Sequence, residues 1–288
     1  MPKSLPSSSS YRRHDRNSHC RRRGLLNLLS VAITATTCQY SIIPVGAQQQ
    51  QQQQKQQLRQ SSYSTIDGYS CFRNLDGMMQ AMFDLADAYP HLASVTDIGD
   101  SYMKSSGGGG GSSVTNSELV DLPTEGYDIY AMNITLSSTD TSSYYSDTTT
   151  TTNKGRILIT SGMHAREMAP PELTMRLAEH LLQSYGVDSD ITWLLHHTEI
   201  HIIFYVNPDG RYIAENYHAL EWRKNGDDQE SCSDIDGRYG VDINRNFDFV
   251  WGDLNGSSDD PCSDTYHGLG PESEPETQAV RLRECVCV

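Results

Sequence analysis

Short apolar strands alternating with helical stretches predict an α/β fold, a β-sheet covered by helices on both faces. Three observations carry this. Residues 75–92 have a helical period, and the next apolar residues read as a strand. Two further apolar runs, Arg156–Thr160 and Glu199–Val206, are of strand length and are separated by a helical pattern. Each of these two strands leads directly into a polar cluster, and open α/β sheets bind ligands at the carboxyl ends of their strands.

Taken in order, the first helix clusters Leu75, Met78, Met79, Met82, Phe83, Leu85 and Ala86, and Pro90 ends it. Val95–Ile98 reads as the first strand, and Tyr127–Ile134 alternates like a second. Arg156–Thr160 leads into His164. Ala169-Pro170-Pro171-Glu172 opens a helix, because proline is tolerated in a first turn. Leu173, Leu177, Leu181 and Leu182 are its expected apolar stripe, and Tyr185-Gly186 ends it. Glu199–Val206 feeds Asn207-Pro208-Asp209-Gly210.

Low-complexity segments divide the chain. Residues 1–47 resemble a secretory signal peptide: a basic region ending Arg21-Arg22-Arg23, an apolar stretch from Leu25 to about Cys38, and small residues Val45-Gly46-Ala47. An organelle transit peptide and a signal anchor are the competing readings. The apolar run is shorter than the ~20 residues a spanning helix needs, and no later segment is long enough. Residues 48–65 read as a Gln-rich disordered spacer and 66–288 as the folded domain. Loop insertions are expected at 105–113 and 137–152, where extra length costs little. Outside residues 1–47 the chain carries 15 basic against 36 acidic side chains. Such a surface repels phosphate backbones and argues against a nucleic-acid partner.

The chemistry sits in two clusters. In Gly162-Met163-His164-Ala165-Arg166-Glu167, His164 and Glu167 are both donors to zinc, which takes imidazole nitrogen and carboxylate oxygen. In Val241-Asp242-Ile243-Asn244-Arg245-Asn246-Phe247, a guanidinium fork stands beside amides, a set that suits a carboxylate. Metal plus carboxylate clamp reads as an enzyme cutting next to a free peptide C-terminus. Asn133-Ile134-Thr135 and Asn255-Gly256-Ser257 are N-glycosylation sequons.

These two clusters, with Asn207-Pro208-Asp209-Gly210, Trp222-Arg223-Lys224-Asn225, and Tyr266-His267-Gly268 followed by Ser273-Glu274-Pro275-Glu276-Thr277, stand in the order of the zinc metallocarboxypeptidases. From about Tyr69 to about Val280 the chain resembles the carboxypeptidase A/B group, most of all its bacterial carboxypeptidase T type. The resemblance implies a mixed β-sheet sandwiched by helices and one Zn2+ ion held by His164 and Glu167. It implies that Asp242 is the carboxylate bonded to a ligand histidine, Arg223 the oxyanion stabiliser, Asn244 and Arg245 the clamp for a terminal carboxylate, and Arg166 an outer substrate contact. It implies peptide or protein C-termini as substrates. It also makes Ser273–Thr277 a structural turn and helix start, with Glu274, Glu276 and Thr277 as caps, and suggests a Cys232–Cys262 disulfide. A secreted, monomeric hydrolase is expected.

The family's third zinc ligand, a closing tyrosine and a general-base glutamate lie further along than the eleven residues that follow Thr277 here. The 288-residue chain therefore reads as an incomplete catalytic domain, inactive or weak as it stands. The alternative is a non-catalytic relative that binds peptide C-termini.

Overall fold

A computed structural model describes residues 62–107, 125–137, 154–216, 221–229, 232, 239–252 and 256–287. The expected signal peptide, most of the Gln-rich spacer, most of both loop insertions and Asn255 lie outside the described residues. The element order is β1 (Thr65–Ile66), β2 (Tyr69–Arg73), α1 (Leu75–Ala88), β3 (Ala93–Asp100), α2 (Tyr102–Ser105), β4 (Asp128–Ile134), β5 (Gly155–Thr160), α3 (Ala169–Ser184), α4 (Ser189–His197), β6 (Thr198–Ile203), α5 (Pro208–Asn216), a 3-10 turn (Ile243–Arg245) and α6 (Pro275–Cys287).

Four strands form a mixed sheet in the order β3-β4-β6-β5. The β3–β4 and β4–β6 pairs are antiparallel, whereas β5 and β6 run parallel and are joined by the crossover through α3 and α4. A separate hairpin of β1 and β2 precedes α1.

The period of two in β4 explains the two cores. Met132 and Ile134 face a core with Leu75, Met78, Met82 and Leu85 of α1, Met175 and Leu182 of α3, and Ile200 and Ile202 of β6. Ile129 and Ala131 point the other way, toward Ile203, Val206, Ile243, and Ala279 and Val280 of α6. Helices therefore cover both faces, as the alternation predicts. Asn74 starts α1: its side chain accepts from the Gly77 N–H at 2.8 Å.

Two helical expectations need correction. Leu173 is 68 % exposed and Leu177 37 %, so neither belongs to the buried stripe of α3. The buried line is Pro171, Glu172, Met175, Ala178, Leu181 and Leu182. Glu172 turns inward because it pairs with the buried Arg73 at 3.1 Å, which rotates the helix away from the all-leucine face. Phe83 is 40 % exposed and meets Tyr130 edge-on at 5.2 Å between ring centres.

Candidate active site

Because β5 and β6 are parallel, their carboxyl ends lie at one edge of the sheet, and the loops leaving them meet there. The Ser161 N–H donates to the Ile203 carbonyl at 2.9 Å, and the Val206 N–H returns to Ser161 at 3.1 Å. Gly162 follows with φ 64°, and a side chain there would lie 2.7 Å from the Tyr205 ring. The His164 loop can therefore approach the end of β6 only with glycine at this place.

Asn207 then ties the loops together. Its backbone N–H donates to Gly162 (3.0 Å), and its side-chain amide donates to the carbonyls of Met163 (3.2 Å) and Lys224 (2.9 Å). Its side-chain oxygen accepts from the Gly210 N–H and so starts α5. Ala165 N–H donates to the Arg223 carbonyl at 3.1 Å. Segments 161–167, 204–210 and 221–227 are thus joined by backbone and amide bonds before any ligand enters.

Asp242, fully buried, gathers three functional groups. One carboxylate oxygen accepts from His164 Nε2 at 3.2 Å and from the Asn244 N–H at 3.1 Å. The other accepts from Arg223 Nε at 3.1 Å and Nη2 at 2.8 Å. Burial pushes this carboxyl up, but the hydrogen bonds from His164 and Arg223 and their charges outweigh it, so it sits below the usual carboxylate range.

With its Nε2 proton committed to Asp242, His164 presents the Nδ1 lone pair to Glu167 Oε1, 2.9 Å away. Two lone-pair donors that close require a proton or a cation between them. Imidazole nitrogen plus carboxylate is a donor set that fits zinc. Among the described residues no third His, Cys, Asp or Glu joins them in a ligand cluster.

The three arginines differ. Arg223 is engaged by Asp242 and also donates to the Asp264 carbonyl at 3.1 Å. Arg166 pairs with the Asp264 carboxylate at 3.2 Å and reaches the Glu221 carbonyl. Arg245 donates to the carbonyls of Gly256 (2.9 Å) and Asn244 (3.1 Å), and among the described residues no carboxylate meets it. Asn244, beside it on the 3-10 turn, is exposed.

Cys232 and Cys262 are joined in a disulfide, with Cα atoms 4.9 Å apart. Asn133, half-buried, stands inside β4 between β3 and β6, and among the described residues its enclosed side-chain oxygen meets no hydrogen-bond partner.

Sequence reasoning did not find Asp264, the partner of Arg166. It also assigned Glu274, Glu276 and Thr277 to helix capping. All three are also buried at the start of α6, and the two glutamates bond in addition to Asn225 and to the Tyr102 N–H, groups distant in sequence. The fully buried Asn246 holds the turn before α6. Its amide donates to the His267 and Gly270 carbonyls and to Ser273 Oγ, and its oxygen accepts from the Glu274 N–H. The signal available for these residues was their polar type inside motifs of otherwise catalytic character.

The zinc carboxypeptidase family profile matches residues 117–283, more than half of the chain, and the chain belongs to that family. It is 38 % identical to human carboxypeptidase A5 over 124 residues, 43 % of this chain and 27 % of that protein. It is 28 % identical to pig (Sus scrofa) carboxypeptidase A1 over 214 residues, 74 % of this chain and 41 % of that protein. The chain thus spans about a quarter to two-fifths of the length of these relatives. Among solved structures, thrombin activatable fibrinolysis inhibitor superposes with a TM-score of 0.58 at 24 % identity, covering 83 % of this chain and 50 % of that one. Carboxypeptidase A from Helicoverpa armigera gives 0.56 at 24 % identity, covering 82 % and 49 %. These two likenesses establish a metallocarboxypeptidase fold, the mixed sheet with flanking helices described above.

Proposed function

We propose that this chain carries the zinc-binding and carboxylate-binding half of a secreted metallocarboxypeptidase that removes C-terminal residues from peptides. The observation that carries this is the pairing of two features on one turn. Asp242 orients His164 beside Glu167, and three residues later Arg245 offers a guanidinium that meets no carboxylate among the described residues. His164 Nδ1 and Glu167 would hold the metal, with Asp242 fixing the ring tautomer. When bound, zinc polarises the scissile carbonyl and acidifies its water. Arg223, half-buried and held by Asp242, would stabilise the charge that develops on the carbonyl oxygen. Asn244 and Arg245 would clamp the terminal carboxylate, and Arg166 would contact the substrate further out. The Cys232–Cys262 bond suits an oxidising compartment, in keeping with the leader-like residues 1–47. Among the described residues no helix is long and apolar enough to cross a membrane.

The test is hydrolysis of a free-acid peptide and its C-terminal amide by a completed, zinc-loaded enzyme carrying these residues; the 288-residue chain itself should cleave poorly or not at all. Arg245→Ala should abolish the preference for the acid, losing roughly 1.5–3 kcal/mol of charge-assisted binding. Arg223→Ala should lower turnover with little change in ground-state binding. If Arg245→Ala leaves the acid preference intact, the clamp lies elsewhere. Arg245-dependent binding of the acid without cleavage would favour the second reading, a carboxypeptidase-like binder of peptide C-termini. The observation that favours this second reading is that only two metal donors converge among the described residues.

A further inference from the structure

Behind the arginine and aspartate of the site lies a group of buried carboxyls that the proposed reaction does not use. Glu274 and Glu276 stand at the start of α6, 2 % and 0 % exposed. Both accept from one nitrogen, the side-chain amide of the fully buried Asn225, at 2.7 Å and 3.1 Å. Two carboxyl oxygens are thus drawn to a single neutral donor. Among the described residues no Lys, Arg or His pairs with Glu274, Glu276 or the nearby Asp209. Two ionised carboxylates in that setting repel each other, and the neutral donors that reach them, the Asn225 amide, the Ser273 hydroxyl and the Tyr102 N–H, offset only part of the loss of water, so the buried arrangement favours a retained proton.

Asn225 uses its other side as well. Its side-chain oxygen accepts from the N–H groups of Val241 (2.8 Å) and Asp227 (3.3 Å), and its own N–H donates to the Val241 carbonyl at 3.0 Å. Gly240, at φ 93°, brings the chain so close that a side chain there would lie 2.3 Å from the Asn225 carbonyl. Arg223 is two residues before Asn225, and Asp242 is next after Val241.

We propose that Asn225 is a positioning residue: with the carboxyl pair Glu274 and Glu276 it clamps the segment carrying Arg223 to the segment carrying Asp242 and Arg245, and the clamp holds while the pair keeps a proton. The chemical role of Arg223 in this statement rests on the function proposed above. The clamp itself does not.

The surrounding groups agree in direction. On segment 221–229, Asp227 faces Glu274, while Lys224 sends its ammonium away to the Pro261 carbonyl at 2.6 Å. From α5, Asp209 faces Glu276. From α2, the Tyr102 N–H donates to Glu276 at 2.8 Å, and its phenol bonds to Asp227. Burial, then the Asp227 charge, raises the Glu274 carboxyl to about 7. Burial, then the charges of Asp209 and Glu274, raises Glu276 well above its ordinary value. Burial raises Asp209 to about 6. Groups raised in the folded state lend stability that is full below their unfolded values and is lost as pH rises through the folded ones. The clamp should therefore be tight in mildly acidic solution and slacken above neutrality.

Amide hydrogen exchange reads this without zinc, peptide or turnover. In the wild-type chain, protection of segments 221–229 and 239–246, corrected for intrinsic exchange, should fall at least about tenfold between about pH 6 and about pH 8.5, the equivalent of one pK unit. Helix α1 should change much less. Glu274→Gln keeps an oxygen for Asn225, makes the Ser273 hydroxyl, which donates to Glu274 Oε1, turn to accept from the new amide, and cannot ionise, so it should remove most of the fall. Glu276→Gln should do the same and decides the matter if the first variant does not fold. Protection independent of pH in the wild type, an undiminished fall in the glutamine variants, or an equal fall in α1 would each overturn the proposal. A chain that shows the expected exchange but neither cleaves nor binds peptides would sink the proposed function and leave the clamp standing.

Discussion

Asp242 meets two demands with one carboxylate: it must stay ionised in a site it shares with no solvent, and it must face two donors at once. The His164 and Arg223 hydrogen bonds satisfy both, one at each oxygen. Because its carboxyl is held below the usual range, the stability it lends is present above its unfolded value and is lost as pH falls through the folded one. Asp242→Asn removes the charge and puts an amide donor where an acceptor is needed. Zinc affinity, measured by chelator competition, should fall by about 10–100-fold, the usual effect of losing a histidine's orienting carboxylate. An unchanged affinity would mean that Nε2 of His164 needs no acceptor there. His164, Glu167, Asp242 and Arg223 were legible in the sequence because each stands in a short motif whose residue types already name a chemistry. Asp264 was not, because its pairing with Arg166 spans 98 positions and neither residue's neighbours announce it.

At the scale of elements, the helices that periodicity described best were those whose buried face is apolar throughout, as in α1. Helix α3 was misjudged because an ion pair sets its rotation. Leucine spacing suggested Leu173 and Leu177, but the Arg73–Glu172 contact turned Met175 and Ala178 inward. The start of α6 was legible only in part. Glu274 and Glu276 have the pattern of a capping sequence, and only the approach of Asn225 from about fifty positions away shows that they are buried. Helix α5 depends on Asn207, which caps it and also fastens the His164 loop to the Arg223 segment. Asn207→Ala takes this partner from the Met163 carbonyl and the Gly210 N–H, whereas the Lys224 carbonyl keeps the Trp222 indole N–H at 2.9 Å. Each orphaned group costs ~1–3 kcal/mol, so a loss of at least about 2 kcal/mol is expected in urea unfolding. A loss under about 0.5 kcal/mol would show that the neighbouring backbone bonds hold the loops by themselves.

For the whole molecule, the α/β class and the helices on both faces followed from alternating patterns, whereas the strand order β3-β4-β6-β5 did not. Local periodicity says which face of a strand is buried. It does not say which strand lies beside it, and the β4–β6 pairing joins residues about seventy positions apart. The same long-range closure acts on segment 232–262, which carries Asp242, Asn244 and Arg245 and whose ends are fixed by the Cys232–Cys262 bond. With 30 positions between the two cysteines, loop-closure entropy in the unfolded chain corresponds to roughly 3–4 kcal/mol in the chain-entropy account. The core elements α1, α3, β4 and β6 lie outside this loop; none of its described residues joins the core of Met132 and Ile202, while Ile243 and Phe247 pack on the opposite core with Ile129, Ala131 and Ile203. Replacing both cysteines by serine should therefore lower global stability by a few kcal/mol while leaving those elements folded, and it should loosen the segment that bears Arg245. Denaturant unfolding followed together with hydrogen exchange checks both parts. A stability loss near zero would mean that the hydrogen bonds of Asn225, Asn246 and Asp242 already restrain the segment without the covalent link.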